Sequence, residues 1–147
     1  MIRYFIALIL FFLGTCFGIL SSGGSLLSLL DLPTFIIVGI FPFLFASILH
    51  GFKNMASAFS VSVKKEADSG KAAKALDFFK TYGKLTWIAG IIGVITGFIC
   101  ILAYLEDASA LGPNTAVTLL SILYSGIIYA VVIIPFTMLA KRLAKRD

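Results

Sequence analysis

Four stretches of this chain, residues 4–20, 34–50, 85–105 and about 115–139, carry no Asp, Glu, Lys or Arg, and the lone histidine, His50, sits at an end. A membrane helix needs ~20 apolar residues to cross ~30 Å of hydrocarbon. Each run is close to that length. Backbone amides in lipid must be satisfied within their own segment, so each run is expected to be a helix. The balance of the chain agrees: 60% of its 147 residues are hydrophobic, 13% are charged, and the mean hydropathy is +1.06. A soluble globular or disordered chain does not carry so much apolar surface. The expected fold is all-α: one polytopic membrane domain over residues 1–147, with four transmembrane helices and a short cytoplasmic helical hairpin at 51–84. That leaves no room for a soluble catalytic domain.

The net charge of +5 does not point to nucleic acid, because the basic residues flank apolar runs instead of clustering on one water-facing surface. They set direction instead. Arg3 precedes the first span. Lys53, Lys64, Lys65, Lys71, Lys74, Lys80 and Lys84 lie between the second and third. Lys141, Arg142, Lys145 and Arg146 follow the fourth. The other two connections hold only the acids Asp31, Glu106 and Asp107. Both termini and the middle connection are therefore expected in the cytoplasm. Arg3 and the apolar run after it also resemble a signal peptide. The reading preferred here keeps that run as a helix of the mature protein.

Local signals fill in the connections. Asp31 is placed to cap the second span, with Pro33 in its first turn, and residues 111–114 (Leu-Gly-Pro-Asn) are expected to do similar work before the fourth. Pro42 and Pro135 fall inside spans, where each should kink its helix. Phe52, Met55, Phe59 and Val63 recur at helical spacing, as do Ala72, Ala73, Leu76 and Phe79. Residues 64–70 supply the turn between them. This hairpin is read either as a spacer at the membrane surface or as a contact with neighbouring subunits.

The catalytic inventory is nearly empty. His50 reads as an interfacial anchor. Cys16 and Cys100 read as small buried apolar side chains. Glu106 and Asp107 read as solvated acids, able at most to concentrate cations at a pore mouth. No metal-ligand spacing, nucleophile elbow, phosphate loop or carboxylate pair is present in the sequence, so neither an enzyme nor a cofactor is expected. A proton path through hydrocarbon needs an ionisable carrier, which another chain would have to bring. What the spans do hold is patterned. Gly90, Gly93 and Gly97 form one face of span three without side chains, open to a close helix, and Thr96 lies beside it. Thr118, Ser121 and Ser125 form a hydroxyl stripe on span four. Such a stripe either packs, with each hydroxyl bonded back to its own helix, or lines a polar cavity.

These residues carry a resemblance. The run Leu111-Gly112-Pro113-Asn114-Thr115-Ala116-Val117-Thr118-Leu119-Leu120-Ser121-Ile122-Leu123-Tyr124 closely resembles the start of the last helix of flagellar stator A subunits. Residues 78–84 and 90–97, with Gly90, Gly93, Thr96 and Gly97, are similar to the third helix of that family. Residues 24–38 are similar to its first outside loop and second helix, and Pro135 with the basic tail also matches. The chain is identified on these residues as similar to the MotA/TolQ/ExbB proton-channel family. The resemblance implies a homo-oligomer, a pentamer, around single-span B-type subunits that carry the proton-binding Asp. It implies a multi-pass protein of the bacterial inner membrane that couples ion flow to movement. Thr96, Thr118, Ser121 and Ser125 would line the pore, Gly90, Gly93 and Gly97 would pack helices, and Pro135 would set a helix bend. The sequence differs from the family at Val94 and Ile122, where hydroxyls are usual, and in its middle connection, which replaces a much larger domain. Those differences motivate the alternative of a non-conducting membrane scaffold with the same fold. A small multidrug-type carrier would place an acid within a span, and none is there.

Overall fold

The computed structural model describes residues 2–64 and 68–145. The described residues are helical with short turns, and no strand occurs among them. Four helical stretches are long and apolar enough to cross a membrane: Arg3–Ser21, Leu26–His50, Ser69–Ala103 and Ala108–Ala144. The fold class read from the sequence is the one observed.

The chain forms two compact units, divided after Leu32. The first holds α1, Ile2–Ser21, followed by a single 3-10 turn at Leu26–Leu29 whose cap is Ser25. A helical run that belongs to the second unit from Pro33 onward starts at α2, Leu32–Phe35, which follows Asp31 directly and has Pro33 in its first turn, the place expected for that proline. It passes through a π-turn, Ile36–Ile40, into α3, Phe41–His50. Gly51 then breaks the helix at φ +82°, a left-handed backbone value that a side chain would strain. The chain redirects there into α4, Phe52–Val63. Next come α5, Ser69–Ala103, α6, Ala108–Ile128, a second π-turn, Tyr129–Ile133, and α7, Ile134–Ala144.

The two prolines explain the π-turns. Proline supplies no amide and pushes against the carbonyl four residues earlier. Pro42 and Pro135 each stand in the first turn of an α-helix that follows a π-turn directly. The wider turn holds one extra residue and takes up the mismatch. The expected kinks are thus realised as π-turns.

The hairpin is a packed structure. α5 runs unbroken for 35 residues, roughly 52 Å at 1.5 Å per residue, which is longer than any bilayer core. Its amino-terminal part packs against α4 and α7. Phe59 of α4 sits 5.0 Å from both Phe79 of α5 and Phe136 of α7, and Phe78 and Phe79 lie 5.3 Å apart. The buried stripe of α4 differs from the expected one. Ala58 and Ser62 are buried, and Met55 and Phe59 are half-buried, whereas Phe52 and Val63 are exposed. Hydropathy alone favoured Phe52 and Val63, but the buried residues of α4 are Ala58, Val61 and Ser62, with Val61 clustered with Ala72 of α5 and Leu143 of α7. On α5, Ala72 and Ala75 are buried and Ala73 is exposed. Of the expected turn at 64–70, residues 65–67 lie outside the described residues.

α6 begins seven residues before the expected start of the fourth span. Asp107 caps it: one carboxylate oxygen accepts from the Ser109 amide at 2.9 Å and from the Ser109 hydroxyl at 2.6 Å. Asp107 is therefore a helix cap and not merely a solvated acid, and Pro113 falls inside the helix. The Ser109 hydroxyl and amide hold the Asp107 carboxyl below its ordinary value of 3.8. A lowered pKa means that the capping contribution is complete above that value and is lost as pH falls through the lower, folded one. Asp107→Ala is expected to speed amide exchange at Ser109 and Ala110 at neutral pH. In the unaltered chain the same acceleration should appear only in strong acid.

Candidate functional site: the seam between α5 and α6

The closest approach in the second unit is between α5 and α6. A Cβ built at Gly90 would overlap the Ser125 hydroxyl and lie 2.9 Å from Ser125 Cβ. One at Gly93 would lie 2.8 Å from Ser121 Cβ, and one at Gly97 would lie 3.0 Å from Thr118 Cβ and 3.1 Å from Thr118 Cα. Each glycine of α5 therefore receives one hydroxyl residue of α6. The pairing runs antiparallel: 90 with 125, 93 with 121, 97 with 118. In hydrocarbon there is little hydrophobic drive to join helices, and close van der Waals packing takes its place.

The hydroxyls are satisfied inside the seam. Thr118 donates to the Asn114 carbonyl at 2.8 Å, Ser121 to Val117 at 2.8 Å, and Ser125 to Ser121 at 2.9 Å. Ser125 also reaches across to the Thr86 carbonyl at 3.3 Å, a polar link between the two helices. Thr118, Ser121 and Ser125 are 5%, 1% and 0% exposed. The structure thus brings these three against Gly90, Gly93 and Gly97 within one chain. Thr96 lies apart from them on an exposed part of α5. Pro135 is buried at the start of α7.

Two participants were missed from the sequence. Gly83 continues the glycine face: a Cβ there would lie 3.0 Å from Ile133 Cγ2 and 3.1 Å from Tyr129 Cε2. Thr86 is fully buried between Gly83 and Gly90 and donates to the Tyr82 carbonyl at 2.9 Å. The signal was available, since 83, 86, 90, 93 and 97 are spaced along one helical face. The apparent start of the span at residue 85 hid Gly83, and Thr86 stands one residue inside it.

Other candidate groups lie away from this seam. His50 Nε2 is 3.0 Å from Thr81 Oγ1, and its ring meets Phe78 edge-on at 5.9 Å. Cys16 and Cys100 are free thiols, half-buried and not fully buried. Among the described residues no three His, Cys, Asp or Glu side chains come together.

No family model matches the chain. Two curated proteins do. Motility protein A of Borreliella burgdorferi is 39% identical over 71 residues, which are 48% of this chain and 26% of that protein. Chemotaxis protein PomA of Vibrio alginolyticus is 35% identical over 57 residues, 39% of this chain and 22% of that protein. These matches support a MotA-like relationship. The matched stretches cover about a quarter of each relative's length, so the likeness is to a part of a motility A protein.

Proposed function

We propose that this chain is an A-type subunit of an ion-driven motor or channel complex in a bacterial inner membrane. It works as a homo-oligomer, a pentamer, around a single-span B-type partner whose membrane Asp carries the proton. Both termini and the hairpin face the cytoplasm. The observation that carries this reading is the seam, a closely packed pair of helices whose apolar stretches, 85–103 and 108–128, hold no Asp, Glu, Lys, Arg or His, in a chain related in part to motility protein A. A helix pair without an acid can wall a proton path but cannot carry the proton.

Within that reading Thr96, Thr118, Ser121 and Ser125 form the polar lining, in two layers. Thr96, exposed on α5, is the one an axis reaches directly. Thr118, Ser121 and Ser125 stand behind it, each already donating to a carbonyl, with lone pairs left to accept from water when the seam loosens. Pro135, beside its π-turn, sets the bend at which α7 moves. Co-expression with a one-span partner bearing a membrane Asp tests the assembly. The expected product is an oligomer that passes protons, and a strictly monomeric particle after gentle extraction would overturn the proposal.

Thr118→Val with Ser121→Ala tests the lining. Thr118→Val keeps the volume packed against Gly97 while exchanging a hydroxyl for a methyl, and Ser121→Ala removes the hydroxyl oxygen nearest Gly93. Proton flux is expected to fall about tenfold, the effect of ~1.4 kcal/mol on a rate, with helix content unchanged. Unaltered flux would reject the lining and favour the second reading, a non-conducting scaffold. Val94 and Ile122, and hydroxyls satisfied within their own helix, are what support that alternative.

A further inference from the structure

A cavity of about 430 Å³ opens between α5 and the α6–α7 run, lined among others by Lys80, Lys84, Trp87, Tyr129, Ile133 and Thr137. Its parts change character with depth. Lys80 and Lys84 lie one helical turn apart, both exposed. Trp87 follows a turn further on, 37% exposed, with the Tyr129 ring 5.9 Å away. Beyond it the exposed face of α5 becomes Ile88, Ile91 and Ile92. That order, ammonium groups, then an amphipathic aromatic pair, then aliphatic side chains, is the order of a membrane boundary. Asp77 lies a further turn out, beyond the mouth.

One group in the cavity wall lacks what it needs. The Thr137 hydroxyl oxygen is buried and has no hydrogen-bond partner among the described residues. Other hydroxyls of the second unit, such as Ser47, Ser62 and Thr86, donate to the carbonyl four residues earlier. A buried, unpaired hydroxyl is costly unless something supplies the missing bond. Two cations, an unpartnered hydroxyl and an apolar floor call for an amphiphile with an anionic head. A free anion would use the lysines and leave the floor uncovered, whereas a zwitterionic lipid brings no net charge to them.

We propose that this cavity is a binding site for an anionic phospholipid of the leaflet on the lysine-rich side. Its phosphate lies at Lys80 and Lys84, its glycerol region reaches the Thr137 hydroxyl, and an acyl chain runs past Trp87 and Ile133. Basic pockets between membrane helices select anionic headgroups through the same charge and solvation balance. The site is independent of any ion-conducting role.

Trp87 is the only tryptophan of the chain, so its emission reads this cavity directly. The full-length protein is placed in phosphatidylcholine vesicles containing either phosphatidylglycerol or phosphatidylcholine with brominated chains. Both leaflets carry the same composition, so the direction of insertion does not matter. Half-maximal quenching is expected at a mole fraction about fivefold lower for the brominated phosphatidylglycerol. The ratio should fall to about one in Lys80→Gln/Lys84→Gln and stay near its original value in Lys71→Gln/Lys74→Gln, which removes the same charge from α5 outside the cavity. Thr137→Val should roughly halve it. Inorganic phosphate at constant ionic strength should leave it unchanged. A ratio near one in the unaltered protein would overturn the proposal. So would an equal fall in both lysine pairs, which would mean surface potential alone, or displacement by phosphate, which would mean a free-anion site.

Discussion

Gly90→Ala combined with Gly97→Ala is expected to separate α5 from α6 and to cost about 2–6 kcal/mol, each methyl contributing the ~1–3 kcal/mol typical of an overpacked contact. The ordinary effect of Gly→Ala within a helix has the opposite sign, since alanine is the better helix former by about 1 kcal/mol. Space decides which effect wins. At Gly90 the new methyl meets Ser125 Cβ, and at Gly97 it meets the Thr118 backbone, neither of which can rotate away. At Gly126 nothing lies within 4 Å, so Gly126→Ala is the control and should not destabilise. Adding Ser125→Gly to Gly90→Ala moves the missing side chain from one helix to the other and should recover part of the loss. Unfolding titrations in mixed micelles give all four values. If Gly90→Ala proved no more damaging than Gly126→Ala, the seam would not be the close contact described.

The second large effect belongs to the other end of α5. Phe79 is fully buried, with the rings of Phe59, Phe136 and Phe78 at 5.0, 5.1 and 5.3 Å. Phe79→Ala should cost about 3–5 kcal/mol, the lost transfer energy plus a cavity whose aromatic walls cannot all collapse inward. The governing force differs from that at the seam. In the topology proposed above, α4 and the charged stretch of α5 border water, so burial of apolar area supplies the stabilisation. The expected signature is early cleavage of α4 and the 64–68 connection by added protease, with the α5–α6 contact still intact. A loss below about 1 kcal/mol would mean that α4 is held by something other than this ring cluster.

The sequence was readable where one force dominated. Absence of charge marked the four spans. The glycine and hydroxyl spacings marked both sides of the seam, and the structure pairs them one to one. Where forces competed, the reading slipped. The start of α6 was placed at the end of the Pro113 turn because proline is the louder signal, yet the Asp107 carboxylate on Ser109 begins the helix earlier. Large apolar residues at Phe52 and Val63 suggested the buried face of α4, yet the buried residues are Ala58, Val61 and Ser62. Gly83 falls before the span that hydropathy starts at residue 85, although the backbone of α5 does not change there, and Thr86 is a single hydroxyl one residue inside that boundary, with nothing in hydropathy to mark it. None of the partner residues across the seam could be matched from one strand of text, because register between helices depends on which side chains are missing as much as on which are present.

The uninterrupted course of α5 has a mechanical consequence. Its neighbours α3 and α7 each follow a turn with a spare residue, and so can change direction at modest cost. α5 has no such joint between Ser69 and Ala103. One continuous helix therefore joins the buried glycines to the ring of phenylalanines near its other end, and a rotation imposed at one is passed along the hydrogen-bonded backbone toward the other.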